Sequence, residues 1–422
     1  MLTTNIEKTK VVVAGVDAQK FNFDYAISEL KELAFANNMT VSATITQKLD
    51  NPVAGTYFGK GKLEELKQLC EHKDVQTVVL NDELTPTQIR NIEKITELKV
   101  IDRTELILEI FAQRAKTKQA TLQVGLARLQ YALPRLHPSE NTLDQQRGGS
   151  GFANRGAGET KLEINRRTIQ KEITRIKRQL ADIEQTTFTQ RQERQKSDLP
   201  KVALVGYTNA GKSSTMNALI KAFIKNQEDK AVFEKDMLFA TLDTSVRQIR
   251  LPHHREFILS DTVGFVSRLP HNLVEAFKAT LLEAKEADLI IQVVDYSDPN
   301  YREMMATTAE VLKEIGANEV PMILAFNKAD KTDTPYPQIN SDEIIYSAIE
   351  KPSILQFSEF IQKQIFKDYE TVDLKIPASD GKTLAYLQGK TEIISQEIEE
   401  ADFYIKAVIN PNDKIWLKDY LK

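Results

Sequence analysis

The sequence predicts an α/β protein in four parts: a central doubly wound, mostly parallel sheet, a small N-terminal α/β domain, an antiparallel helical hairpin and a small C-terminal α/β module. Three observations carry that prediction. Apolar runs of β type alternate with helical patterns through the first hundred residues. Two seams of leucine and isoleucine stepping by 3 and 4 flank a glycine-rich connector. From Val202 onward, apolar strands end in short polar motifs, as strands of an open parallel sheet deliver their loops to one edge.

In the N-terminal domain, placed over residues 1–110, the β-type runs are Val11 to Val13, Val41 to Ile45, Val78 to Leu80 and Val100 to Ile101. They are separated by amphipathic patterns such as Tyr25 to Leu33, and strand-helix-strand order argues a small parallel layer. The turn Gly55-Thr56-Tyr57-Phe58-Gly59-Lys60-Gly61-Lys62 precedes a helix, so its amides and lysines could meet a phosphate. It does not match the P-loop pattern, and a structural glycine turn and a second nucleotide site both stay open.

The helical part spans residues 111–198. Leu122, Leu126, Leu129 and Leu133 step by 4, 3 and 4, and Ile169, Ile173, Ile176, Leu180 and Ile183 step by 4, 3, 4 and 3. Two such seams joined by a connector fold back most simply as an antiparallel hairpin. The connector, Arg135 to Gly158, holds Gly148, Gly149, Gly151, Gly156 and Gly158, five of the chain's 16 glycines, beside Arg147 and Arg155. Glycine permits close backbone approach and arginine makes bidentate phosphate contacts. Arg147, Gly148, Gly149, Arg155, Gly156 and Gly158 are therefore candidate RNA contacts, with plain disorder the competing reading. Charge favours a polyanion: Phe111 to Pro200 carries 17 Lys and Arg against 9 Asp and Glu, while the whole chain has a net charge of −4.

At 422 residues, 41% hydrophobic and 27% charged, the composition is globular. An apolar run of ~18 residues is missing, so no membrane span is expected, and the chain reads as a soluble, cytoplasmic monomer. Cys70, the single cysteine, reads as a plain thiol, since His72 beside it leaves a metal site short of ligands.

The chemistry lies between Gly206 and Ala348. Gly206-Tyr207-Thr208-Asn209-Ala210-Gly211-Lys212-Ser213 is GxxxxGKS, set between the apolar strand Val202 to Val205 and a helix from Ser214 to Phe223. In that setting successive amides and a helix N-terminus cradle phosphates, Lys212 bridges the β- and γ-phosphates, and Ser213 ligates Mg²⁺. The strand Glu256 to Ser260 ends in Asp261-Thr262-Val263-Gly264, a DxxG element: Asp261 would hold Mg²⁺ through water and the Gly264 amide would sense the γ-phosphate. Between them, Phe239-Ala240-Thr241-Leu242-Asp243 offers Thr241 as the other protein ligand of Mg²⁺, with Thr244 the competitor. Lys212, Thr241 and Gly264 are the candidate catalytic residues.

Base identity comes from Asn327-Lys328-Ala329-Asp330 at the end of the strand Met322 to Phe326. The Asp330 carboxylate can accept from guanine N1–H and N2–H₂ together, whereas adenine presents an acceptor at N1 and would leave a buried charge unpaired. Ser347-Ala348 then supplies a backbone N–H for guanine O6. Together these mark a P-loop GTPase domain over residues 199–367 that binds GTP and GDP, followed by the C-terminal module over 368–422. Where many GTPases place a water-orienting glutamine, after Gly264, stands Phe265; slow hydrolysis without a partner is expected.

With these motifs in place, the chain resembles the HflX family of translational GTPases. The resemblance rests on the α/β N-terminal domain, Arg155-Gly156-Ala157-Gly158-Glu159-Thr160-Lys161-Leu162-Glu163 before Arg166-Arg167, Phe239 to Asp243, and Asp261 to Phe265. It implies binding to the large ribosomal subunit and its RNA, GTP hydrolysis stimulated there, and splitting of ribosomes stalled under stress. The hairpin loop would reach toward the peptidyl-transferase centre. The chain departs from the family pattern at Ala157 (usually proline), Lys161 (glutamine) and Asn165 (aspartate), so a housekeeping member and a specialised paralogue resembling antibiotic-resistance factors both stay open. Two other readings stay open: a GTP switch acting on a protein partner through the hairpin, and an ATP-driven RNA remodeller using the turn at Gly55 to Lys62.

Overall fold

The first four apolar runs form strands because each is bounded by a capped helix or a turn. They are β1 (Thr9–Asp17), β2 (Met39–Lys48), β3 (Thr77–Leu80) and β4 (Lys99–Ile101). The computed structural model describes residues 8–19, 22–136, 161–195, 199–223, 239, 245–253, 255–268, 281, 283–399 and 402–422, which divide into two units. In the first, the four strands are all parallel, in the order β2-β1-β3-β4. Val11, Val12, Val13 and Ala14 of β1 are fully buried, the continuous apolar run of a parallel strand covered on both faces.

The crossovers are α1 (Phe23–Ala36), α2 (Lys60–Lys73), α3 (Pro86–Thr96) and α4 (Arg103–Arg114). Thr85 and Gln88 close a capping box on α3, with Pro86 in its first turn. The turn at Gly55 to Lys62 sends two rings into the core and leaves Lys60 and Gly61 exposed. Tyr57 and Phe58 are buried, and the Val16 amide donates to the Tyr57 hydroxyl at 3.0 Å. Gly59 precedes α2 and donates its amide to Gln47 Oε1 at 3.0 Å.

Two longer helices follow, α5 (Lys118–Ala132) and α6 (Lys161–Gln195), in contact where Gly125 faces Ile176. The buried line of α5 is Ala120, Gln123, Val124, Leu126 and Ala127, so Leu122 and Leu129 of the sequence seam are only half-buried. The face is turned because α5 also packs on α4. Past α5, Arg135 stacks 3.4 Å over the Tyr131 ring and donates to Leu84 O at 2.8 Å and Asp102 Oδ2 at 3.3 Å. Residues 137–160, which carry every candidate RNA contact, lie outside the described residues.

Phe239, Ser267 and Arg268 also belong to this first unit. The Phe239 ring meets Phe111 edge-on at 4.5 Å. Ser267 Oγ donates to Glu29 at 2.6 Å, Glu29 pairs with Arg103, and Arg103 donates to the Ser267 carbonyl at 3.0 Å. Arg268 pairs with Asp82 at 2.7 Å. Glu29 and Arg103 are buried, so each depends on the other: a buried charge left without its partner costs several kcal/mol, typically ~3–5.

The second unit is built on seven strands: β5 (Lys201–Val205), β6 (Ser245–Arg250), β7 (Glu256–Asp261), β8 (Leu289–Asp295), β9 (Met322–Asn327), β10 (Gln338–Ile339) and β11 (Glu343–Ile345). Their order is β10-β11-β9-β8-β5-β7-β6. The inner pairs are parallel, and only the edge strands β6 and β10 run antiparallel. The helices α7 (Lys212–Phe223), α8 (Tyr301–Glu314) and α9 (Lys351–Ile365) accompany the sheet. Its core gathers Leu204, Leu219, Leu259, Ile291, Tyr346 and Phe357. The C-terminal module of the same unit has β12 (Glu370–Pro377), α10 (Gly381–Lys390), β13 (Glu392–Glu399), β14 (Asp402–Ile409) and α11 (Pro411–Trp416). Its strands form an antiparallel sheet in the order β12-β14-β13 over Leu374, Ile376, Leu387 and Ile405. Among the described residues, no helix is long and apolar enough to cross a membrane.

Candidate nucleotide site

The site is built at the carboxyl ends of β5, β7 and β9, where an open parallel sheet leaves its crevice. β5 runs into Gly206, whose φ is +143°; a Cβ there would sit 2.2 Å from the Val293 carbonyl. At Gly211, φ is +93° and a Cβ would come within 2.1 Å of Asn327 Nδ2. Both positions exclude any side chain, which is why the GxxxxGKS spacing is fixed. Asn209 between them holds the left-handed region at φ 61°.

Lys212 opens α7 and is buried, its ammonium donating to the carbonyls of Gly206 at 3.0 Å and Tyr207 at 2.9 Å. Burial lowers its pKa to about 8, against the opposing pull of Asp261. Ser213 Oγ donates to Asp261 Oδ2 at 2.6 Å, and Asp261 is fully buried. A hydroxyl and a carboxylate brought together at a helix N-terminus are the oxygen donor set of a hard divalent cation, so the residues fit Mg²⁺. Thr262 and Val263 are buried behind them, with Thr262 Oγ1 donating to Leu204 O at 2.7 Å.

Gly264 lies directly on the phosphate loop: a Cβ would meet Thr208 Cγ2 at 2.8 Å and Lys212 Nζ at 3.0 Å. Phe265 continues this contact as backbone, its carbonyl accepting from Thr208 N at 2.7 Å and its amide donating to Gly206 O at 3.1 Å. Its ring is 2% exposed, so no edge of it faces solvent. The Thr208 hydroxyl is buried without a partner among the described residues.

On the other side, Asn327 ties two loops together. Its Nδ2 donates to Ala210 O and its Oδ1 accepts from Ala348 N, both at 3.0 Å. Lys328 takes the left-handed conformation at φ 64° and pairs with Asp295 at 2.7 Å. Ala329 is buried, and Asp330 accepts from Ser347 Oγ at 2.6 Å. Ser347 is in turn fixed by Ser353, whose hydroxyl accepts the Ser347 amide at 2.9 Å. Ser214 follows Ser213 on the first turn of α7, half-buried.

The structure thus brings together residues 206–214, 261–264, 327–330 and 347–348. Phe239 is described, but in the first unit, and Ala240, Thr241, Leu242, Asp243 and Thr244 lie outside the described residues. Four supporting residues carry no motif: Asp295, Ser353, Thr215 and Tyr346. Thr215 Oγ1 and Tyr346 Oη lie 2.6 Å apart, and Tyr346 stacks on Phe357 at 4.5 Å. Sequence analysis missed all four; the polar end of the mostly apolar segment Leu289–Asp295 is the signal that could have found Asp295.

Family comparisons agree with this geometry in order along the chain. Models described as GTP-binding GTPase N-terminal, GTP-binding GTPase Middle Region and 50S ribosome-binding GTPase match residues 24–112, 114–194 and 201–328. The GTPase HflX of Caldanaerobacter subterraneus subsp. tengcongensis is 42% identical over 395 residues, 94% of this chain and 90% of that protein. The chain belongs to the HflX GTPase family. GTPase HflX of Alkalihalophilus pseudofirmus is 41% identical, covering 94% of this chain and 92% of that one. A more distant likeness is to a GTP-binding protein from the archaeon Sulfolobus solfataricus, in complex with GDP, at 23% identity and a TM-score of 0.45 over 85% of this chain and 99% of that one. As an HflX GTPase with a P-loop GTPase domain, the chain hydrolyses GTP.

Proposed function

We propose that this HflX GTPase works on the large ribosomal subunit, using GTP binding and hydrolysis to split or rescue ribosomes stalled under stress, antibiotic stress included. The observation that carries the nucleotide half is the Asn327 bridge from Ala210 to Ala348. It ties the loops at 327–330 and 347–348 to the phosphate loop, and a guanine ring would find its acceptor at Asp330 and take the Ala348 amide over from Asn327 Oδ1. Lys212 and the amides of 206–214 hold the phosphates. Ser213, Thr241 and Asp261, the last through water, would hold Mg²⁺, which would supply positive charge against the phosphates.

Phe265 supports dependence on a partner. A buried phenyl cannot orient water, so the partner must order what a glutamine otherwise orders. The basic segment 111–200 supports an RNA partner, and the family description names the 50S ribosome. The loop residues Arg147, Gly148, Gly149, Arg155, Gly156 and Gly158 are the proposed RNA contacts. In this reading the four parts 1–110, 111–198, 199–367 and 368–422 act as one cytoplasmic monomer.

Sedimentation with large subunits in GTP, GDP and no nucleotide, beside GTP turnover with and without subunits, tests it. Co-sedimentation strongest with GTP, and turnover raised by subunits by at least about tenfold (~1.4 kcal/mol in the barrier), are expected. Fast free turnover that subunits leave unchanged would refute the reading and favour a GTP switch acting on a protein partner.

A further inference from the structure

Asn327 is one tie between the phosphate loop and the loops at 327–330 and 347–348; a second runs through a buried side chain outside every motif. Tyr346 directly follows β11 and is fully buried. Its amide donates to Phe326 O at 2.8 Å and its carbonyl accepts from Ala329 N at 3.2 Å, so its backbone brackets Asn327 and Lys328. Ser347 and Ala348 come next in the chain. Its side chain reaches α7, where the hydroxyl lies 2.6 Å from Thr215 Oγ1, and Thr215 Oγ1 lies 2.8 Å from Gly211 O in the phosphate loop.

The direction of these two bonds follows from their atoms. A carbonyl oxygen only accepts, so the single hydroxyl proton of Thr215 goes to Gly211 O, and Tyr346 Oη is then the donor to Thr215 Oγ1. The Thr215 amide ends on the same carbonyl at 2.9 Å. A hydrogen-bonded chain therefore runs from Tyr346 through Thr215 to Gly211, whose φ of +93° shapes the phosphate loop. Thr215 and Tyr346 are both fully buried, so bulk water does not compete for the bond between them. Stacking on Phe357 of α9, at 4.5 Å with the rings 5° apart, fixes the ring that carries the donor.

We propose that Tyr346 is a positioning residue that couples the two ends of the nucleotide: it holds the loops that take the base in register with the loop that takes the phosphates. The inference rests on the reading of 327–330 and 347–348 as the guanine subsite. With the chain of bonds intact, a nucleotide anchored by its base presents its phosphates to a loop already in place. With the chain broken, each subsite keeps its own contacts, but the second forms at a lower effective concentration.

The test uses the full chain with GDP and GMP, their affinities read by displacement of a fluorescent guanine nucleotide. GMP keeps the base and lacks the β-phosphate. Tyr346→Phe deletes the hydroxyl and keeps the ring on Phe357. It should weaken GDP by about three- to tenfold, the worth of one buried neutral hydrogen bond, and GMP by less than about twofold. A merely structural loss would weaken both alike. Thr215→Ser, which keeps the hydroxyl, should retain the parent ratio of the two affinities, and Thr215→Val should lower it. Tyr346→Phe combined with Thr215→Val should weaken GDP by no more than about twofold beyond the stronger single change, because both delete the same bond. If Thr215→Val does not fold, the ratio in Tyr346→Phe decides alone. An unchanged ratio in Tyr346→Phe, or single effects that multiply in the double variant, overturns the coupling. Equal binding of ADP and GDP by the parent protein is a separate failure, which sinks the guanine subsite and the coupling with it.

Discussion

At the scale of single residues, the site turns on charges held where water is scarce. Lys212 is buried with its pKa lowered to about 8 from an ordinary 10.5, first by desolvation. In the nucleotide-free protein the folded state therefore binds fewer protons than the unfolded chain between those values. Stability should rise as pH climbs from about 8 toward 10.5 and be lost again on return through 8, a term on the order of 3 kcal/mol. Urea midpoints against pH, wild type minus Lys212→Met, isolate that term, and identical profiles would remove it. GDP affinity should fall above pH 8, because the phosphates need the ammonium. Asp330 sets the base in the proposed site: Asp330→Asn should move preference from guanine to xanthine nucleotides by ~10²-fold or more in competition binding. Equal competition by ATP in the wild type would sink the guanine assignment. The residues proposed to touch phosphate or base were legible because their types are forced: Gly206 and Gly211 by backbone conformation and space, Lys212 by charge. Asp295, Ser353 and Tyr346 were not, since each acts through a neighbour brought close only by folding.

Among elements, the strands were the most legible, because buried parallel strands write themselves as unbroken apolar runs. The edge strands β6 and β10 were not read, since an edge exposes one side and breaks the run, as in Ser245–Arg250 with only Ile249 fully buried, and the buried central strand β8 was not read either, although Leu289–Asp295 is mostly apolar. The α5 seam was read one face off because it meets both α4 and α6. How the end of α5 is held was hidden altogether. Asp102, fully buried, caps α4 through the Glu105 amide at 2.8 Å and accepts from the Leu84 amide at 3.0 Å, Tyr131 Oη at 2.6 Å and Arg135. Its charge also joins desolvation in raising Glu105 to about 7. Asp102→Ala should cost ~3–5 kcal/mol in urea unfolding, since it leaves a half-buried guanidinium and two amides short of an acceptor. Adding Arg135→Ala should cost much less than the sum of the single changes, and strict additivity would show that the two do not act as a unit. Glu105 should respond as well. Its carboxyl is raised, so the folded state holds the proton more tightly, and stability contributed below the ordinary carboxylate range is lost as pH rises through about 7.

For the whole molecule, net charge and local charge point opposite ways. The chain carries −4, which alone would repel RNA, yet 111–200 holds 17 cationic against 9 acidic residues. At physiological salt, screening acts over ~8 Å, so a phosphate touching the basic segment feels its near cations and little of the acidic remainder. Binding to the large subunit should therefore survive the negative total and fall steeply with salt, log K dropping linearly with log salt by just under one per phosphate contact. Described residues of α6 supply a direct handle: Arg166, Lys171, Lys177 and Arg178 are exposed on it. Reversing Arg166 and Lys177 to glutamate should flatten the salt slope of subunit sedimentation by about one per lost contact, so by up to two, and weaken binding alike for every ribosomal complex tried. Because Lys212 and Asp330 belong to the other unit, GDP affinity should not move. A slope unchanged by both reversals would mean that α6 makes no phosphate contact, and that the attraction resides in Arg147 and Arg155 or in the amino-terminal 110 residues. A slope near zero in the wild type would leave the RNA reading without its electrostatic support and favour a protein surface as the partner.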